Sequence, residues 1–107
     1  MITEKDVLHE WVNCNYDSDN DSSITTYRLP EELLKPIIEY ANEFFENPKI
    51  IDQTEKKTFL QLSENDRKAF SIYSAIERYL SSYSHDLDRV ADSAYDNMDI
   101  ILGKRRD

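Results

Sequence analysis

Asp17, Asp19 and Asp21 stand at alternate positions in the run from Asn15 to Ile24, the spacing with which an EF-hand calcium loop begins. Such a loop turns on a glycine at its sixth position and closes with a bidentate glutamate at its twelfth. Counted from Asp17, the sixth position is Ser22 and the twelfth is Arg28, a cation where the strongest anionic ligand belongs. Serine also carries the Cβ penalty that glycine avoids at a sharp turn. The segment therefore reads as a solvated acidic loop rather than a metal site. Its charge alone can meet a basic partner.

Other reactive residue types are sparse. His9-Glu10 has no second histidine at the spacing of a zinc-binding helix, and His85 is far from it in the chain. Cys14 is the only cysteine, so neither an intramolecular disulfide nor a CxxC site can form, and its ordinary role is that of a small half-buried hydrophobe. One glycine in 107 residues leaves no phosphate-cradling loop. General acid–base work needs two positioned groups whose pKa values are pushed apart. The acids here are spaced along helix faces, where solvent holds them near ordinary values. No catalytic residue, metal ligand or cofactor emerges, and the chain reads as a non-enzyme.

The stronger pattern is acidic. On a helix, His85, Asp88, Asp92, Asp96 and Asp99 fall within about 80° of arc, beside the apolar residues rather than fully opposite them. Asp88, Asp92 and Asp96 form consecutive i,i+4 pairs of like charge, each costing a few tenths of a kcal/mol. An earlier helix repeats the theme with Glu32, Glu39, Glu43 and Glu46, interrupted by Lys35. Either bases such as Arg67, Lys68 and Arg78 neutralise these faces internally, or a partner supplies the cations.

The charge balance points the same way. The net charge is −9, and residues 1–54 hold twelve acids against four bases while residues 55–107 hold ten against nine. This disfavours direct binding of nucleic acid and anionic lipid and would steer toward a basic protein face. The only basic cluster, Lys104-Arg105-Arg106, suits the end of a helix better than a nucleic-acid site. No cationic stretch with an apolar run opens the chain, and no segment is long enough to span a bilayer, so a cytoplasmic protein is expected.

The elements that carry these residues read as an all-α bundle of about four helices in one domain, with an irregular acidic loop after the first. Thr3, with Asp6 at the third helical position, caps a helix to about Asn13, docked by Val7, Leu8, Trp11 and Val12. Residues 14–29 form the acidic loop and a packed arm. Pro30-Glu31-Glu32 opens a helix to Glu46, with a kink expected at Pro36, where the ring removes an amide donor. Residues 54–61 read as a short helix or turn. Ser63, with Asp66 three residues on, caps a helix over 64–83. The last spans 85–102, turns Leu87, Val90, Ala91, Ala94, Tyr95, Met98, Ile101 and Leu102 inward, and ends at Gly103 in the left-handed conformation. Residues 103–107 form a basic tail.

Two classes of function fit. The first is a protein-binding module that docks its acids (Asp88, Asp92, Asp96, Asp99, Glu39, Glu43, Glu46, Asp17, Asp19 and Asp21) on a basic surface of a partner. Inhibitors, immunity proteins and phage- or plasmid-borne accessory factors work this way, with DNA mimicry as the extreme form. The second is a homodimer or other self-associating structural protein that uses its seven tyrosines as contacts.

Overall fold

In the computed structural model, which describes residues 1–18, 28–84 and 87–103, five helices follow one another: α1 Glu4–Ser18, α2 Glu31–Glu46, α3 Gln53–Leu60, α4 Glu64–Leu80 and α5 Asp88–Gly103. Among the described residues there is no strand. The helix starts follow from their caps. Thr3 Oγ1 accepts from the Asp6 amide at 3.3 Å while Asp6 Oδ2 accepts from the Thr3 amide at 3.0 Å, a reciprocal box. Ser63 Oγ accepts from the Asp66 amide at 3.2 Å. Asp52, just before α3, accepts from the Thr54 and Glu55 amides at 2.8 and 3.1 Å, so this cap settles the short helix that the sequence left between helix and turn.

α4 is the central element. It packs against α2 on one side and α5 on the other, while α1 lies against α5 and α4. The start of α4, at Asn65 and Asp66, shares a groove with the end of α5, at Ile100 and Ile101, so the two run antiparallel. One apolar core joins the helices, from Ile2, Val7 and Trp11 through Ile37, Ile72, Ile76 and Leu80 to Val90 and Leu102. Phe44, Phe59 and Phe70 form a triangle of rings with centroids 5.2–5.8 Å apart, and this fastens α3 to α2 and α4. Asn42 of α2 holds the start of the chain. Its side chain accepts from the Ile2 amide at 2.7 Å and donates to the Ile2 carbonyl at 3.0 Å.

Several expectations are corrected. α1 continues to Ser18 instead of stopping near Asn13, so Cys14 to Ser18 are helical and the irregular segment starts later. Cys14 extends the buried Val7–Trp11 row by one more step and is itself fully buried, and no glycine or proline interrupts the run. Leu8 and Val12 do not dock α1; they lie one position round from that row and are exposed. Pro30 is the residue before α2 rather than its first turn, with ψ 129°. Pro36, where a kink is expected, lies inside the single span of α2 and is not among these corrections. α4 ends at Leu80, which leaves Tyr83 outside the helix. α5 starts at Asp88 and runs through Gly103, and no glycine has positive φ. Finally, Tyr95 points outward at 56% exposure, because Ser93 and Asn97 turn inward in its place.

Candidate functional site: acidic faces and a polar groove

The exchange of Tyr95 for Ser93 and Asn97 rotates the buried face of α5. Its buried residues, Val90, Ala91, Ser93, Ala94, Asn97, Ile101 and Leu102, centre roughly 180° from the aspartate row at 100° per residue. The stripe thus lies opposite the core, where the sequence placed it alongside. Asp92, Asp96 and Asp99 are exposed and Asp88 is half-buried. On α2, Leu33, Ile37, Ala41 and Phe44 are buried, and Glu39, Glu43 and Glu46 occupy the outer face. α4 stands between α2 and α5, so the structure does not bring the two acidic faces together. Asp17 falls in the last turn of α1, while Asp19, Asp21, His85 and the basic tail from Lys104 lie outside the described residues.

The internal bases are engaged elsewhere. The Arg67 guanidinium lies 5.1 Å from the centre of the Phe45 ring, and its Nε is buried without a hydrogen-bond partner among the described residues. Arg78 and Lys49 sit over the Tyr40 ring at 5.2 and 5.3 Å. Lys68 pairs with Glu64 on its own helix at 3.9 Å, and Lys49 reaches Glu43 at 3.2 Å. Among the described residues, no base is within 4.0 Å of Asp92, Asp96 or Asp99.

A second feature was missed in the sequence. Glu10 of α1 is only 15% exposed at its side chain, and its Oε2 accepts from the Tyr73 hydroxyl of α4 and from Asn13 Nδ2, the latter at 3.2 Å. Tyr73 is 5% exposed. Burial first, and then the carboxylate of Glu10, hold its hydroxyl proton far above the ordinary pKa of 10.0, so at neutral pH it only donates to the carboxylate. Asn97 of α5, 8% exposed, reaches Cys14 Sγ at 4.0 Å, a weak contact. Glu10, Tyr73 and Asn97 line one groove of ≈ 310 Å³ with Ala69, Ile100 and Ile101. An adjoining groove of ≈ 270 Å³ shares Glu10 and Ala69 and adds Asp6, His9 and Lys68.

Comparisons of the chain with protein-family models, curated proteins and solved structures return no match. Function is therefore read from the geometry alone. Among the described residues, no three His, Cys, Asp or Glu side chains are placed to hold a metal ion. Nor is any described helix long and apolar enough to cross a membrane. The Glu10–Tyr73 pair was hidden because its members are 63 positions apart. The only sequence signal was an acid on the edge of an apolar helix face.

Proposed function

We propose that this protein is a binding module whose acidic faces dock on a basic surface of a partner protein, as an inhibitor, immunity protein or accessory factor would. The observation that supports this most is the outer face of α5. Asp92, Asp96 and Asp99 project away from the core with no base in ion-pairing range among the described residues. Like charges at i,i+4 weaken a helix, and a partner's cations would turn that cost into attraction. The outer acids of α2 are a second patch on the far side of α4, which suits a partner that contacts one face at a time. DNA mimicry remains the extreme form and is the weaker one, since residues 55–107 are nearly neutral.

The test is recovery of a partner from host lysate at about 50 mM and then about 300 mM salt, with the variant D92N/D96N/D99N run beside the wild type. A basic protein that is retained at low salt, released at high salt and not recovered by the variant is the expected result. Equal recovery by the variant would remove α5 from the docking surface.

A second reading is favoured by one observation. Leu8, Val12, Tyr95 and Ile100 are large, apolar or aromatic and exposed, as expected of a chain that self-associates. Sedimentation at two protein concentrations separates the readings, since a tight dimer supports self-assembly and a monomer a foreign partner.

A further inference from the structure

The groove between α1, α4 and α5 has the composition of a receptor for one cationic side chain. Two of its lining residues, Glu10 and Asp66, are acids, and among the described residues no base lines it. Glu10 Oε2 is occupied by Tyr73 and Asn13. Among the described residues, the one base in ion-pairing range of Oε1 is His9, at 4.0 Å, with the imidazole itself 74% exposed. Asn97 is more than nine-tenths buried, lines the same groove, and makes only the 4.0 Å contact to Cys14 among the described residues. A buried carboxamide in so weak a contact ordinarily has a better partner. The walls are Ala69, Ile100 and Ile101, apolar surfaces against which a methylene stem can lie. The volume is at the low end of the range for small-ligand sites, which suits one side chain and excludes a folded segment.

We infer that this groove takes an arginine side chain of the partner, its stem along Ala69, Ile100 and Ile101 and its guanidinium on Glu10 and Asn97. Arginine fits better than lysine because the acceptors lie on different helices, and a planar fork with five donors can reach several at once. The inference rests on the reading of this protein as a binder of basic proteins, and adds the single anchor that diffuse charge on α5 does not supply.

The experiment is an NMR titration of the full chain with N-acetyl-arginine methylamide, with the citrulline analogue as the uncharged isostere. Saturable shifts at the Asn97 side chain, Ala69, Ile100 and Ile101 are expected with arginine and not with citrulline, at millimolar affinity. Glu10→Gln keeps an acceptor for Tyr73 but loses the charge, and should weaken binding about tenfold. Ile100→Lys, at a wall position that is already exposed, should abolish it. D92N/D96N/D99N should leave it unchanged. Absence of saturable groove shifts, shifts confined to the aspartate face, or an unaltered titration of Glu10→Gln would each overturn the proposal. Those outcomes leave the salt-dependent recovery of a partner through α5 standing or falling on its own result.

Discussion

Tyr73 shows how one residue serves both packing and polarity here. Its ring is in the core and its hydroxyl donates to Glu10 on α1. Tyr83 does the same at the surface, donating to Glu32 and drawing that carboxyl below its usual range. Tyr40 offers its ring to two cations. With Tyr79, whose ring packs edge-on against Tyr40, four tyrosines among the described residues have internal roles, which weakens the case that they were kept for self-association. Tyr73→Phe should lower stability at pH 7 by about 1 kcal/mol, measured by urea unfolding. The pH dependence has a definite sign. A hydroxyl whose folded pKa is raised above 10.0 contributes stability that is complete below that value and is lost as pH rises beyond it. The difference between wild type and Tyr73→Phe should therefore shrink above about pH 10. Asp6 runs in the opposite sense. Its bond with the Thr3 amide lowers its pKa below 3.8, so the cap contributes above that value and fails as pH falls through the lower one.

At the scale of elements, caps and apolar periodicity explain most helix boundaries, and α3 depends on a single anchor. Phe59 is its one fully buried residue, in contact with Phe44 and Phe70. Phe59→Ala should cost about 3–5 kcal/mol and free α3 first, seen as selective loss of amide protection over 53–60. The α5 stripe predicts the reverse behaviour. Asp92→Lys replaces two like-charge i,i+4 contacts, with Asp88 and Asp96, by attractive ones. It should raise the unfolding free energy by about 0.5–1 kcal/mol at low salt. If the stripe docks a basic surface, the same change should weaken the complex, so stability and binding move in opposite directions. A solvated face with no role would gain stability and lose nothing.

For the whole molecule, a net charge of −9 spread over outward faces makes self-repulsion the dominant long-range term. Salt screens it, so the melting temperature should rise between about 20 and about 300 mM sodium chloride. A partner held by the same charges should dissociate over that range. α4, between α2 and α5, keeps the two acidic patches apart, which lets each carry charge without adding fully to the other's repulsion.

The all-helical architecture, the caps at Thr3 and Ser63, and the antiparallel pairing of the last two helices were legible from the chain. Each is set by neighbours within a few residues or by a short connection. The sequence also determined that acids form one row along each of α2 and α5, because charge and helical period are local properties. What it could not give was the rotation of α5. Tyr95 is a better apolar residue than Ser93 or Asn97 on any scale. Only packing against α1 and α4 decides that the small and polar pair goes in and the ring goes out. The same holds for the groove of Glu10, Tyr73 and Asn97, and for the clamp of Asn42 on Ile2. These join residues 24–87 positions apart, and no local pattern records that three helices will meet there. The tertiary structure alone made that choice, because burial is shared among all the helices and cannot be divided among them in advance.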